Sequence, residues 1–390
     1  MTTYALILET SNIKLWGLSS FDRLARQIGQ LENCRLVEDV KSIPENSTVL
    51  CLLGTCVFET RVLEDLLERN STVIFAEDKP AAGCCRSDEL VAMLKVLTRE
   101  QENMFSRIDH NKMSFYMDKL RKAEPPLCMH LSKENSEVIE NNLYGRSYKG
   151  ITDLVTKWLW PKPAKRAVRI CVRLGISPNM LTLISIFLVV YASYAFYQGY
   201  YVSGLVAGWM MTFLDTVDGK LARVSIQSSR LGHVLDHGTD IIHPPFWYLF
   251  WAISIPELSM NLSISQFSWI LFGGYIGGRF AEQSFHLLGS CALFDWRPFD
   301  SYFRLITARR NPCLIILTVS LFFSDPSLGI LAVAAWTALT TFILLIRLMH
   351  GLFARRHGRL VSWLADPNVY AEHPRAFQLF SRTAGAYEKH

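Results

Sequence analysis

Three features that mark other classes of protein are missing from this 390-residue sequence. None of its nine cysteines shows the paired spacing of a zinc site, so we expect buried or free thiols in a reducing compartment. The net charge is only +5, which provides no large basic face and argues against a nucleic-acid partner. The N-terminus has no basic segment followed by an apolar one, so no secretory signal is predicted and the first domain is expected in the cytoplasm.

Charge is scarce from Met180 to Met349, where apolar blocks are separated by short polar links. A helix needs about 20 apolar residues to cross a bilayer. Six blocks meet or approach that length: 180–200, 202–222, 232–255, 266–288, 311–325 and 328–350. The sequence therefore predicts an α-helical integral membrane domain with six transmembrane helices.

The links between these blocks differ in their Lys and Arg content. Those at 200–203, 254–265 and 325–329 contain neither residue, whereas the alternate links and both flanks contain several. Cytoplasmic loops collect Lys and Arg, so both termini and the link between the second and third blocks should face the cytoplasm. We expect a bacterial or archaeal inner membrane.

The residues before the membrane blocks have a different pattern. Over residues 1–125, short apolar runs alternate with helix-like stretches, which favours βαβ units and a mostly parallel sheet in a cytoplasmic α/β domain. Residues 126–150 are polar and irregular, as in a linker. Residues 151–176 mix tryptophans with a Lys/Arg cluster, which predicts an amphipathic helix on the inner leaflet. The membrane domain is then 177–355, followed by a cytoplasmic tail, 356–390.

Four aspartates flank the link between the second and third blocks, in the stretch FLDTVDGKLARVSIQSSRLGHVLDHGTD. Asp215 and Asp218 are three residues apart, and Asp236 and Asp240 are four apart, so each pair lies on one face of a helix. Four neighbouring carboxylates repel one another unless cations lie between them. Oxygen ligands suit Mg²⁺ or Mn²⁺, which commonly serve a phosphate-bearing substrate. The alternative is a set of solvated acids at the membrane boundary, but ionisable residues in spans favour function.

Eight positions between 215 and 240 resemble the motif of the CDP-alcohol phosphotransferases (CDP-alcohol phosphatidyltransferases). They are Asp215, Asp218, Gly219, Ala222, Arg223, Gly232, Asp236 and Asp240. Pro178-Asn179 and Thr182, at the entry to the first block, also match a pattern that often opens this domain. The resemblance extends over about residues 150–355.

The resemblance implies a two-metal reaction in which an acceptor hydroxyl attacks the β-phosphorus of a CDP-alcohol and expels CMP. Asp215, Asp218 and Asp236 would be the main ligands of two Mg²⁺ or Mn²⁺ ions, and Asp240 would also lie close to the second ion. Asp240 would be the general base. The donor would be CDP-diacylglycerol or a CDP-polyol, the acceptor an alcohol, and the enzyme a homodimer in contact with membrane lipid.

The same resemblance suggests how the donor is bound. Gly219 and Gly232 would border the cytidine, Arg223 would contact the donor phosphates, and Ala222 would belong to the same donor-binding set. Glycine leaves room for a ligand at the backbone, and a guanidinium matches the geometry of a phosphate.

Acceptor binding is predicted for three further arginines, Arg279, Arg309 and Arg310. Arg279 lies inside an apolar run, and the other two begin the fifth block. Arginines there could hold a phosphate on the incoming alcohol. The alternative is that they anchor the chain at the cytoplasmic surface, as basic loop residues do.

The first domain resembles the sugar-nucleotidyltransferases, as in fusions of inositol-phosphate cytidylyltransferase with di-inositol-phosphate-phosphate synthase. It lacks the Gly-rich, Arg/Lys-bearing loop after the first strand, and it has Gly54-Thr55 where a Gly-Asp step is usual. We expect an inactive relative, or an unrelated α/β domain. For the whole chain, the alternative to an enzyme is a membrane protein such as a cation-coupled transporter.

Overall fold

A computed structural model describes residues 2–110, 113–227, 230–256, 263–289, 291–366 and 368–381. The side chains of residues 230, 231, 233, 236 and 237 lie outside this description. The chain divides into two compact units. We call the first the α/β unit (Met1–Met117, Glu124–Ser147 and Arg223–Gln227) and the second the helical unit (Asp118–Ala123, Tyr148–Ala222 and Ser228–His390).

A six-stranded sheet forms the centre of the α/β unit. Its strands, in spatial order, are β2 (Cys34–Leu36), β1 (Thr3–Leu8), β3 (Thr48–Leu53), β6 (Lys79–Arg86), β5 (Thr72–Ala76) and β7 (Ser106–Asp109). Strand β3 is almost wholly buried, as expected of a central strand with an unbroken apolar run. The predicted α/β domain is therefore present.

The sheet is mixed. Strand β1 is parallel to β2 and β3, and β5 is parallel to β7, but β6 is antiparallel to both of its neighbours. The reason is a tight turn between β5 and β6, in which Glu77 and Asp78 have φ values of 51° and 62°. Two residues with positive φ are typical of a hairpin turn, which reverses the chain. Only part of the sheet is therefore parallel.

The remaining elements of the α/β unit cover the sheet and extend beyond residue 125. The helices are α1 (Ser20–Ile28), α2 (Thr60–Leu67), α3 (Leu90–Leu97) and α4 (Ser136–Arg146). The short strands β4 (Cys56–Phe58) and β10 (Cys128–His130) pair with each other, and β8 (Tyr116–Met117) also belongs to this unit, whereas β9 (Lys122–Ala123) belongs to the helical unit. All nine cysteines of the chain are free thiols, and eight are buried.

The helical unit begins with a π-helical turn at Val155–Leu159 and continues in α5 (Pro161–Leu174). Gly175 ends α5 in the left-handed conformation, with φ of 67°, where glycine carries no steric penalty. The helices that follow are α6 (Pro178–Tyr197), α7 (Tyr201–Val224), α8 (Arg230–Ile253), α9 (Ile264–Leu288), α10 (Pro298–Ile306), α11 (Arg310–Phe322) and α12 (Pro326–Arg355). Each predicted membrane block thus overlaps a helix.

Among the described residues, α6 and α12 are long and apolar enough to cross a membrane. The pair α10 and α11 would be a third span if its two parts act together, with a bend of 43° between them. Helices α7 and α8 each have 24 residues and α9 has 25, but they mix polar with apolar side chains. Two to three spans are supported by length and composition, and six spans stay a prediction.

Aromatic side chains fill the core of the helical unit. Phe196 on α6 contacts both Trp247 and Trp251 of α8, and all three side chains are almost fully buried. Gly204 on α7 lies against the Phe196 ring, since a Cβ there would be 2.5 Å from it. Small residues at helix contacts allow such close approach.

The C-terminal residues are folded into the helical unit. A short 3₁₀ turn at Trp363–Ala365 leads to α13 (Val369–Glu372) and α14 (Pro374–Ser381). Phe380 is fully buried, and a Cβ on Gly150 would lie 2.1 Å from its carbonyl oxygen. Residues 360–366 and 368–381 are therefore packed rather than extended.

Candidate functional site

Helices α7 and α8 place Asp215, Asp218 and Asp240 in the helical unit, but the three carboxylates have different partners. Asp218 is only 5% exposed and accepts a 2.9 Å hydrogen bond from the hydroxyl of Thr182 near the start of α6. Asp215 and Asp240 both face the guanidinium of Arg310 instead. Acids from two helices thus meet at one cationic group.

Arg310 is the first residue of α11, and its guanidinium uses separate nitrogens for the two acids. One lies 2.5 Å from Asp215 Oδ2, and the other lies 2.5 Å from Asp240 Oδ1. The second nitrogen also lies 3.4 Å from the Sδ atom of Met211. The guanidinium therefore bridges α7 and α8 through the two acids that the sequence predicted as metal ligands.

Two carboxylates that converge on one positive group are suited to a hard divalent cation, which prefers oxygen ligands. The predicted fourth ligand, Asp236, has its backbone in α8, but its side chain lies outside the described part of the chain. Among the described residues, no three or more His, Cys, Asp or Glu side chains are grouped closely enough to hold an ion. The donor chemistry fits Mg²⁺ or Mn²⁺, with Arg310 now in the cationic position.

The residues predicted to bind the donor lie at the same end of the two helices. On α7, Gly219 follows Asp215 by four residues and Ala222 follows Asp218 by four, so all four residues share one face. Gly232 is half-buried near the start of α8. These positions agree with a common binding surface, and their role stays a prediction.

Arg223 belongs to the α/β unit. Its side chain is exposed, and one guanidinium nitrogen donates to the carbonyl of Ser147 at 3.2 Å. The predicted contact with donor phosphates is not tested by this arrangement.

The three predicted acceptor arginines separate into two groups. Arg309 forms an ion pair with Glu282, and Arg279 lies 3.7 Å from the same carboxylate. Arg279 also donates to the hydroxyl of Tyr275 at 3.1 Å. Arg310, in contrast, binds the two aspartates. The sequence predicted a shared acceptor-binding role for these arginines. In the structure, the neighbours Arg309 and Arg310 form ion pairs with different acids.

A narrow cavity adjoins the arginines of the first group, between α9, the α10–α11 link and α12. Its lining residues include Tyr275, Arg279, Glu282, Thr307, Arg309, Thr340 and Thr341. Hydroxyls and guanidinium groups together suit a polar, anionic ligand. The Tyr275 hydroxyl also donates at 2.9 Å to the carbonyl of Ile241, the residue after Asp240. One hydrogen bond thus links the lining of the cavity to α8, the helix that carries Asp240.

Sequence reasoning missed a polar contact beside Arg310. The amide of Asn311 donates to Asp153 Oδ1 at 2.9 Å and lies 3.2 Å from the hydroxyl of Thr156. Asp153 also accepts from the backbone N–H groups of Val155 and Thr156, as a helix-capping acid does. The capping position was recognisable in the sequence, but the contact with a residue far along the chain was not.

A second missed feature is Asp295, which lies between α9 and α10 and is fully buried. Within the described chain, neither of its carboxylate oxygens has a hydrogen-bond partner, and the nearest ion-pair contact is Arg121 Nε at 3.5 Å. Burial raises the pKa of Asp295 to about 7, although Arg121 opposes the shift. This acid therefore titrates near neutral pH.

In the α/β unit, β1 and β3 are parallel neighbours, and the chain continues from them towards opposite edges of the sheet. Open α/β sheets bind ligands beyond the carboxyl ends of two such strands. The chain after β3 closes that position. The N–H of Gly54 donates to the carbonyl of Leu8 at 2.5 Å, and a Cβ on Gly54 would lie 2.9 Å from Thr10 Cα. The backbone after β3 therefore stays in close contact with the backbone after β1.

Comparison with known proteins identifies relatives of the helical unit. Residues 175–277 match the family described as CDP-alcohol phosphatidyltransferase. Over 80 residues the chain is 38% identical to an archaetidylinositol phosphate synthase of Pyrococcus horikoshii, which is 20% of this chain and 42% of that protein. Over 145 residues it is 29% identical to an uncharacterized CDP-alcohol phosphatidyltransferase class-I family protein of Schizosaccharomyces pombe, covering 34% and 37% of the two chains.

The chain thus spans about two fifths of the length of these curated relatives. The matched segment contains all eight motif positions between 215 and 240, so the resemblance inferred from them is confirmed. Residues 175–277, which carry Asp215, Asp218 and Asp240, are thus similar to the CDP-alcohol phosphatidyltransferase family.

Proposed function

We propose that this chain is an integral membrane enzyme that transfers a substituted phosphate from a CDP-alcohol to the hydroxyl of an acceptor alcohol, releasing CMP. The observation that supports this most directly is the convergence of Asp215 and Asp240 on one cationic group, inside the segment that matches the family. Both termini and the site would face the cytoplasm.

In this proposal, Asp215, Asp218, Asp236 and Asp240 hold two divalent ions, Mg²⁺ or Mn²⁺. When bound, the ions neutralise charge on the diphosphate and on the attacking and leaving oxygens. Thr182 fixes the orientation of Asp218 through their hydrogen bond. Gly219, Ala222, Gly232 and Arg223 would contact the nucleotide part of the donor.

Asp240 would accept the proton of the acceptor hydroxyl. The oxygen so activated forms a bond to the β-phosphorus, and the bond between that phosphorus and the bridging oxygen breaks, so that CMP leaves. A carboxylate within reach of the hydroxyl can serve as this base. Arg310 contacts both Asp240 and Asp215, so the proposed base and a proposed metal ligand lie close to each other.

For the acceptor, we propose a phosphorylated polyol, with inositol phosphate as the first candidate. One relative is named as an archaetidylinositol phosphate synthase, and Arg279 and Arg309 line a polar cavity. Guanidinium groups bind phosphate through paired N–H donors. CDP-diacylglycerol is then the matching donor, while a CDP-polyol donor and a glycerol phosphate or lipid acceptor are the other candidates.

The test is to incubate the purified protein with a panel of CDP-alcohols and acceptors, with Mg²⁺, Mn²⁺ or EDTA, and to identify the products by mass. We expect metal-dependent CMP release with a phosphodiester product. No CMP release from any donor would contradict the proposal and favour a cation-coupled transporter.

A further inference from the structure

Arg309 and Arg310 are adjacent at the start of α11, yet they bind different acids. Arg309 pairs with Glu282 on α9, while Arg310 pairs with Asp215 on α7 and Asp240 on α8. Of these two neighbours, Arg310 alone touches the proposed metal ligands. This difference gives Arg310 a distinct role.

The two carboxylates that Arg310 binds need a positive partner. The Arg310 side chain is 14% exposed, and Asp215 is 18% exposed, so water screens their interaction only in part. Without a cation, two acids that share one site repel each other and favour protonation. The guanidinium supplies this cation within the protein itself, through a separate nitrogen for each acid.

The same oxygens are required by a divalent ion. The guanidinium contacts one oxygen of each acid and places a positive charge between them, so an ion bound to the same acids would lie beside a like charge. An ion also binds acids at about 2.0–2.6 Å, which leaves no room for a second cation in the same direction. Arg310 and the ion are therefore competitors.

We propose that Arg310 is an internal counter-ion of Asp215 and Asp240, and that a divalent ion that binds these acids displaces its guanidinium from them. The inference rests on the proposed function, because it takes both acids to be metal ligands. The guanidinium then lowers the apparent affinity for the first ion and keeps the helices together until the ion arrives. Once displaced, it adds a positive charge beside the diphosphate of the donor.

The proposal is tested by Mn²⁺ binding to the purified full-length protein, measured by titration calorimetry and by the EPR signal of free Mn²⁺. In Arg310→Gln, the competitor is gone, and we expect Mn²⁺ affinity to rise on the order of tenfold. Arg310→Lys should be intermediate, because an ammonium cannot bridge two acids as a planar fork does. The matched control is Arg309→Gln, which should bind Mn²⁺ like the wild type.

Thermal unfolding in EDTA and in Mn²⁺ gives a second measurement that does not depend on activity. Arg310→Gln should unfold at a lower temperature than the wild type in EDTA, and Mn²⁺ should raise its midpoint by more. Unchanged or weaker Mn²⁺ binding by Arg310→Gln and Arg310→Lys would overturn the inference, and CMP release by the wild type would then leave the proposed function standing. Failure of the wild type to bind Mn²⁺ or release CMP would overturn both.

Discussion

Asp215 and Asp218 are one helical turn apart on α7, but their environments differ. Asp218 is buried and accepts from Thr182, while Asp215 pairs with Arg310. Asp240 shares that guanidinium and has the larger exposed fraction, 37% against 18% for Asp215. A group that exchanges a proton with an acceptor needs such access, so Asp240 is the better candidate for the base.

Replacement of Asp240 by Asn tests this assignment. The amide cannot accept the hydroxyl proton, and general base catalysis typically contributes about 10²- to 10⁴-fold, so CMP release should fall by that order. Metal-dependent binding of the CDP-alcohol should remain, because Asp215 and Asp218 are intact. Binding is measured by calorimetry and CMP by chromatography. Wild-type turnover in Asp240→Asn would rule out Asp240 as the base.

Asp295 gives a prediction for pH. Its folded pKa is about 7, above the 3.8 of an ordinary Asp, so between those values the folded protein holds a proton that the unfolded chain releases. Stability should therefore fall as pH rises from about 4 to about 7. Asp295→Asn removes this titration, so the unfolding temperature of the variant, relative to that of the wild type, should rise between about pH 4 and pH 7. Parallel profiles for the two proteins would contradict the shift.

At the scale of elements, close helix contacts depend on a few glycines. Gly204 lies under the Phe196 ring, whereas a Cβ on Gly273, in α9, would meet nothing within 4 Å. Alanine substitutions at these two positions therefore distinguish the effect of tight packing on stability from the effect of helix propensity. Both are glycines inside long helices, which would otherwise gain from alanine.

Gly204→Ala should destabilise the helical unit by about 1–3 kcal/mol, because the added methyl forces Phe196 out of its position. Gly273→Ala is the matched control and should leave stability unchanged or slightly higher. Both effects are measured as shifts in thermal unfolding in detergent. An equal response of the two variants would show that the α6–α7 contact is not tight.

The elements also show what the sequence could predict. Apolar runs located the strands β1, β3 and β5 and the long helices, since burial of a strand or helix is encoded locally. The reversal at Glu77 and Asp78 was not predicted, because Glu77 is an unusual residue for a hairpin turn with positive φ, although Asp78 is a common one. The bend between α10 and α11 was also missed, since the predicted fifth block began only at residue 311.

For the site, the motif identified which acids act together but not their partners. The contacts of Arg310 with Asp215 and Asp240 span 95 and 70 residues, and that of Asn311 with Asp153 spans 158. Such pairs depend on how helices pack, which a local pattern does not contain. The spacing of the aspartates therefore predicted a cation site. That the guanidinium of Arg310 lies at this site could be seen only in the structure.

At the scale of the whole molecule, the two units should differ in activity. The backbone at Gly54 lies close to that of Thr10 beyond the ends of β3 and β1, and no Gly-rich loop follows β1. We therefore propose that the α/β unit is an inactive relative of the nucleotidyltransferases that serves stability, regulation or partner binding.

This proposal predicts that the full-length protein does not form CDP-inositol. With CTP and inositol phosphate, pyrophosphate release should stay at background, because the triphosphate has no place to bind. The same preparation, given a preformed CDP-alcohol and an acceptor, should release CMP, which serves as the positive control. Pyrophosphate release that requires both CTP and inositol phosphate would show that the unit is active.

The short length of α11 has a consequence for the membrane around it. Its 13 residues rise about 20 Å, whereas the hydrocarbon core of a bilayer is about 30 Å thick. If α11 ends at the far surface, Arg310 begins roughly 10 Å beneath the near one. Lipid beside this helix must then thin, or water must descend to the guanidinium. In the proposed function, a lipid-borne donor and a water-soluble acceptor would thus meet at a depth that the acceptor does not reach in an undisturbed bilayer.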